Sequence, residues 1–147
     1  MLVERIEGKW IDVFSRVFEM CAVDNTQSAA ILSETQSRSV NVNLAELALD
    51  RLGIRPIHIV LPTLRQRAPV PIRSTGASDA IAGSIAVIKA LAAVDFVVDC
   101  TVEGLLHAPE LPEILSDGSR ILMVSNEHPE ALERLMPTED LEPKVKA

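Results

Sequence analysis

The amino-acid sequence predicts an α/β fold, in which a mainly parallel four-stranded sheet carries helices on both faces. Helical patterns alternate with short apolar runs along the chain, in the order expected for successive βαβ units. The apolar runs are nearly continuous, which is typical of parallel strands buried on both faces. A chain of 147 residues, 48% of them hydrophobic, is long and apolar enough to form one domain with its own core.

Two helices and two strands are predicted for the first part of the chain. Apolar residues recur at helical spacing over about residues 4–21, so this segment is expected to form an amphipathic helix. The apolar segment Ser28–Leu32 is a strand candidate, and Pro56–Leu61, rich in β-branched residues, is a second. Between them a helix over Val40–Leu52 ends at Gly53, because glycine readily takes the left-handed conformation that terminates helices.

A long loop and a third helix are predicted next. The loop Pro62–Thr75 is rich in proline and arginine, and loops of this length in compact domains are often functional. Its arginines either meet an anionic substrate or partner or are simply solvated; they are Arg65, Arg67 and Arg73. Ser78-Asp79 is expected to cap the helix that follows. The apolar face of this helix carries Ile81, Ile85, Ile88 and Ala92.

Two further strands and two helices are predicted for the last part of the chain. Asp95–Cys100 and Arg120–Val124 are the strands, and Pro109–Leu115 is a short helix between them. A helix over His128–Met136 has Pro129 in its first turn, where proline is favoured. The complete alternation of elements indicates a Rossmann-like arrangement.

The composition argues against several classes of partner. A net charge of −7 disfavours duplex DNA and anionic membrane surfaces. Only 3% of the residues are aromatic, so the stacking platforms that bind single-stranded nucleic acid are missing. The acidic N-terminus does not resemble a secretory signal, and no apolar run approaches the length of a membrane span. We therefore expect a cytoplasmic protein with no nucleic-acid or membrane partner.

Sequence motifs for phosphate binding, for a serine nucleophile and for metal binding are missing. The patterns GxGxxG, GxxxxGK[ST] and GxSxG are absent, and Gly76-Ala77-Ser78 is better explained as a helix start. Cys21 and Cys100 have no CxxC partner and are expected to be reduced core residues. His58 is predicted to be a core histidine in its strand, and His128 a helix-entry or surface residue. With no closely spaced pair of ligands, we expect no metal site in this chain.

The most informative segment is Leu105–Glu110, which follows the predicted strand Asp95–Cys100. It therefore lies at the carboxyl edge of the sheet, where open α/β sheets bind ligands. Imidazole titrates near neutral pH, so His107 is a candidate proton carrier, although a solvent-facing loop histidine has the same sequence pattern. Glu103 and Glu110 flank it and either orient the imidazole or are solvated.

Four segments resemble the bacterial Fe(II)-dependent 2,5-dihydroxypyridine 5,6-dioxygenases of nicotinate degradation, which are related to aminopeptidase T-like metallopeptidases. The segments occur in the family's order and spacing and span most of the chain. The most specific are the L-L-H-x-P-E and M/L-P-T-E-D patterns. The four segments are Asp24–Ser28, Ala90–Asp99, Leu105–Glu110, and Gly118–Leu122 continuing to Pro129–Asp140.

The resemblance implies a domain organisation. Residues 1–137 correspond to an α/β N-terminal domain, and residues 138–147 to the start of a helix or linker toward a C-terminal metal-binding domain. In that family two histidines and an aspartate of the C-terminal portion hold Fe(II), and nothing in this chain matches them. The chain is therefore expected to be inactive alone and part of a dioxygenase when full length.

The resemblance also implies site residues and partners. His107 corresponds to the family's acid/base histidine, and the adjoining Leu105 and Leu106 to the substrate-binding segment, with Leu106 as an apolar wall against the pyridine ring. The implied partners are a hydroxylated N-heterocycle such as 2,5-dihydroxypyridine, O₂, the C-terminal domain of the same protein and further copies in a homo-oligomer.

The sequence leaves two alternatives open. In the first, the same fold belongs to an aminopeptidase T-like metallopeptidase or hydrolase, in which a Glu/His-rich paired-metal set would replace two histidines and an aspartate. A non-catalytic α/β module that binds a partner or small ligand is the second alternative, and it predicts a stable monomer without an exposed apolar face.

Overall fold

A computed structural model describes residues 7–62, 81, 84–102, 104–105, 108–124 and 129. Four helices and four strands alternate in these residues. In chain order they are α1 Gly8–Met20, β1 Ala29–Glu34, α2 Ser39–Arg51, β2 Ile57–Leu61, α3 Ile85–Ala93, β3 Phe96–Asp99, α4 Leu111–Leu115 and β4 Arg120–Met123. Within this part of the chain no helix is long and apolar enough to cross a membrane.

The four described strands form one sheet in the order β2-β1-β3-β4, and every neighbouring pair is parallel. Successive residues of a strand point to opposite faces. In β1, Ile31 therefore joins a core with α1 and α2, while Leu32 joins a second core with α3 and α4. The prediction of a parallel sheet covered by helices on both faces is confirmed.

Aromatic rings form the centre of the core between α1, α2 and the sheet. The Phe18 ring is fully buried and meets Phe14 and Phe96 edge to face, with centroid distances of 6.1 and 5.5 Å. Such edge-to-face pairs stabilise a core beyond the apolar area that they bury. Arg120 of β4 lies against the outer side of this cluster, 5.9 Å from the Phe96 centroid, and donates to the Cys21 carbonyl.

The prediction that His58 is a core residue is wrong. β2 is the edge strand of the described sheet, and Ile57 and Val60 on it are 58% and 60% exposed. His58 is likewise exposed, and its Nε2 lies 3.1 Å from Oε1 of Glu46 on α2. The β-branched run of β2 predicted a strand correctly, but its position in the sheet left both faces partly open.

The third helix begins later than the sequence predicted. Ser84 is the N-cap, and its Oγ accepts a hydrogen bond from the Val87 amide. The buried face of α3 is centred on Ile88 and Leu91, and Ile85 lies about 120° round the helix from Leu91. The placement of Ile85 on the buried face is therefore wrong, since its side chain is 67% exposed.

The remaining elements agree with their predictions to within a few residues. Both cysteines are free thiols; Cys100 is buried and Cys21 half-buried. Ser78-Asp79 and all of the Pro62–Thr75 loop except Pro62 lie outside the described residues. Of the predicted last helix only Pro129 is described, and it is helical and buried.

Gly53 at the end of α2 provides a test of the backbone geometry. Its φ is +81°, and a Cβ placed there would lie 3.2 Å from the Asn25 Cβ. We expect Gly53→Ala to lower the free energy of unfolding by about 1 kcal/mol or more, because alanine is strained at positive φ. Urea denaturation measures this. Gly8→Ala is the matched control, since Gly8 has no neighbour within 4 Å of a new Cβ and no positive φ. Equal stability of Gly53→Ala and the parent would contradict the prediction.

Candidate functional site

The candidate site lies where the strand order changes direction. β2 pairs with one side of β1, and β3, the next strand in the chain, pairs with the other side of β1. In open parallel sheets with this order a crevice forms at the carboxyl ends of the two central strands, and ligands bind there. Here the crevice is bounded by Glu34 at the end of β1 and by Asp99 at the end of β3.

Asp99 is the most deeply buried acid of the described residues, with no exposed surface. Its Oδ1 accepts hydrogen bonds from the Thr101 amide at 3.0 Å and the Thr101 hydroxyl at 2.5 Å. Its Oδ2 accepts one from the Leu105 amide at 2.7 Å. Burial raises the pKa of the Asp99 carboxyl, and the three hydrogen bonds oppose that rise. All three donors belong to the loop between β3 and α4.

The segment that carries Leu106 and His107 is held at both ends. Gly104 has a φ of +77°, a conformation that glycine adopts without strain, and Leu105 follows it into the core. The Leu105 side chain packs with Leu91 and Ile114 in the core beneath α3 and α4. After the dipeptide, Ala108 is again buried, and its amide donates to the Leu105 carbonyl at 3.0 Å.

A second carboxylate joins the same loop to the neighbouring strand. Oε2 of Glu34 accepts a hydrogen bond from the Val102 amide at 2.8 Å. The Ser37 hydroxyl donates to the Cys100 carbonyl at 2.7 Å and accepts from the Glu34 amide at the same distance. These bonds connect the carboxyl ends of β1 and β3 across the crevice.

Cys100 directly follows Asp99 in the chain and is buried. Burial and the nearby Asp99 raise the pKa of its thiol to about 12. The thiolate, which is the reactive form, is therefore scarce at physiological pH. Cys100 is a packing residue, as the sequence predicted.

The structure brings some of the predicted site residues together and leaves others apart. The Leu105 amide is bound by Asp99, while the Leu105 side chain is buried in the core. Glu110 lies half-buried next to the start of α4. His58 is at the amino end of the edge strand and does not join them. Several other candidates lie outside the described residues: Leu106, His107, Glu103, His128, Arg65, Arg67 and Arg73.

Asp99 and Glu34 are not among the site residues predicted from the sequence. The signal available in the sequence was an acidic residue ending each of two apolar strands, where a buried charge requires partners. No group of three or more His, Cys, Asp or Glu side chains among the described residues is arranged to hold a metal ion.

Comparison with known proteins gives a consistent result. The NicX family model, described as 2,5-dihydroxypyridine 5,6-dioxygenase, matches residues 9–147. The 2,5-dihydroxypyridine 5,6-dioxygenase of Pseudomonas putida KT2440 is 37% identical over 137 residues, which cover 92% of this chain and 38% of the relative. A solved structure of 2,5-dihydroxypyridine dioxygenase from the same organism superposes with a TM-score of 0.81 at 35% identity, covering 92% of this chain and 39% of that one.

The chain therefore spans less than half the length of these relatives. Its parallel sheet agrees with the similarity in structure, and the family match extends over nearly the whole chain, including the β3–α4 loop. The chain belongs to the 2,5-dihydroxypyridine 5,6-dioxygenase family.

Proposed function

We propose that this chain supplies the substrate-covering loop and the acid/base histidine of an Fe(II)-dependent dioxygenase that opens the ring of 2,5-dihydroxypyridine or a similar hydroxylated N-heterocycle. The observation that carries the proposal is the family match across the loop between β3 and α4. The structure supports it because this loop begins at the switch-point crevice and is anchored on both sides of Leu106-His107.

His107 is assigned the proton transfers. A neutral imidazole accepts the proton of a ring hydroxyl and returns a proton as the ring opens, a task that suits a group titrating near pH 7. Leu105 and Leu106 form the substrate-binding segment in this assignment. Leu105 is buried and anchors the segment. Leu106 is assigned the apolar contact with the pyridine ring.

The iron is assigned to residues outside this chain. The described residues do not provide a metal-binding group, and the relatives are more than twice as long as the segment that they share with this chain. We assign residues 1–137 to an N-terminal domain and residues 138–147 to the connection toward the metal-binding domain. When bound there, Fe(II) would supply O₂ binding and redox chemistry. A role in nicotinate degradation, a cytoplasmic location and a homo-oligomeric state belong to the same proposal.

The proposal is tested with the full-length enzyme encoded by the reading frame that contains this chain. Supplied with Fe(II), O₂ and 2,5-dihydroxypyridine, it is expected to consume substrate and O₂ in equal amounts. The residues encoded after Ala147 should include two histidines and an aspartate that bind the iron. Peptide hydrolysis without consumption of the dihydroxypyridine would instead support the aminopeptidase T-like alternative, and neither activity would support a binding module.

A further inference from the structure

We propose that Asp99 is a positioning residue for His107: its carboxylate fixes the backbone of Thr101 and Leu105, which precede the histidine in the loop between β3 and α4. The inference rests on the proposed function of His107 and adds to it a residue that acts through the loop. His107 follows only two positions after Leu105, whose amide is bound by Asp99. A displacement of the Leu105 backbone is therefore passed on to the histidine with little chain to absorb it.

The described hydrogen bonds of the Asp99 carboxylate all come from the loop that follows β3. A buried carboxylate costs several kcal/mol unless its oxygens are satisfied. Both oxygens of Asp99 are satisfied by the loop itself, through the amide and hydroxyl of Thr101 and the amide of Leu105. Hydrogen bonds to an ionised acceptor are roughly twice as strong as those between neutral groups. The three hydrogen bonds to Asp99 therefore stabilise one conformation of this loop.

The same loop is also hydrogen-bonded to residues at the end of β1 and just after it. Glu34 accepts from the Val102 amide, and Ser37 donates to the Cys100 carbonyl. The carboxylates of Asp99 and Glu34, which end the two central strands, thus accept hydrogen bonds from three backbone amides of one short loop. These are the amides of Thr101, Val102 and Leu105. These hydrogen bonds fix the position of the start of the loop relative to β1 and β3.

The chemistry of an amide side chain provides a sharp variant, Asp99→Asn. Asparagine offers one acceptor oxygen and one NH₂ group in nearly the same volume as aspartate. If the oxygen keeps the two bonds from Thr101, the NH₂ faces the Leu105 amide, and two donors then oppose each other. The substitution therefore removes the hydrogen bond from the Leu105 amide, while the packing of the core is retained.

The test is a double-mutant cycle in the full-length enzyme. We expect Asp99→Asn to lower kcat by roughly 10- to 100-fold, the cost of displacing a catalytic group by about 1 Å. In the His107→Ala background the same substitution should leave kcat unchanged, because no acid/base group remains to be positioned. Hydrogen exchange followed by mass spectrometry should show faster exchange in the peptide spanning residues 100–110.

Asp95→Asn is the matched control. Asp95 immediately precedes the same strand and accepts a hydrogen bond from the Ser28 amide at 2.9 Å, but it lies at the amino edge of the sheet and is exposed. This variant is expected to leave kcat and the exchange of residues 100–110 unchanged. If Asp99→Asn does not fold, Thr101→Val removes one donor to Asp99 and takes its place in the cycle.

The outcomes separate the two proposals. If His107→Ala loses activity while Asp99→Asn keeps it, the positioning role is wrong and the function of His107 stands. If the effects of the two substitutions multiply in the double mutant, Asp99 acts through stability or another route, and the positioning role is again wrong. If His107→Ala keeps full activity, the acid/base assignment fails, and the positioning role fails with it.

Discussion

Replacing His107 with alanine in the full-length enzyme is expected to lower kcat by roughly 10²-fold or more while the iron content stays unchanged. This is the usual contribution of a positioned general acid or base. Alanine removes the imidazole but leaves the anchors on either side, the buried Leu105 and Ala108, so the loop is expected to keep its course. Since the iron ligands are assigned to residues outside this chain, metal loading should not depend on His107.

Steady-state kinetics and metal analysis of the same preparation measure this result. His58→Ala is the matched control, because His58 lies on the exposed edge strand beside Glu46 and away from the crevice. Added imidazole is expected to restore part of the activity of His107→Ala. Full activity of the His107→Ala enzyme with normal iron would show that another group carries the proton.

Replacing Phe18 with alanine is expected to lower the free energy of unfolding by about 3–5 kcal/mol, the range for removing a large aromatic ring from a core. Phe18 is fully buried at the centre of the cluster formed by α1, α2 and the sheet, and it contacts the rings of Phe14 and Phe96. Its loss leaves a cavity and removes both edge-to-face contacts. Since domains are stable by only about 5–15 kcal/mol, this is a large fraction of the total.

Urea denaturation followed by the fluorescence of Trp10 measures the change, because Trp10 is the one tryptophan of this chain and lies in the same core. Leu47→Ala on α2 is the control. Leu47 is 41% exposed, so its loss is expected to change the stability by less than about 0.5 kcal/mol. Similar effects for the two substitutions would mean that the core is not centred on Phe18.

The elements of the fold could be predicted because their signals are local. The helical spacing of apolar residues in α1 and the left-handed stop at Gly53 both depend on near neighbours in the chain. The continuous apolar runs of β1 and β3 likewise required burial on both faces, and both strands are central in the sheet. The parallel architecture followed from these patterns without any knowledge of the strand order.

The errors concern residues whose environment depends on that order. The β2 sequence has the same apolar character as a central strand, yet the strand lies at the edge, where His58 meets Glu46 rather than the core. Ile85 fits the apolar spacing of a helix that begins earlier in the chain. In the structure Ser84 caps the helix, Ile85 is its first residue, and the Ile85 side chain is exposed to solvent. A local sequence pattern does not predict which strand lies at the edge of a sheet or which of several serines caps a helix.

By itself, the sequence determined the fold class, the resemblance to the dioxygenase family and the placement of the His107 segment after a buried strand. Only the tertiary structure decided that two carboxylates converge on this segment. Asp99 and Glu34 are 65 positions apart in the chain, and they become neighbours of one loop because β1 and β3 pair at the centre of the sheet. Local periodicity determines an element, whereas the partners of a buried charge are determined by which elements the fold brings together.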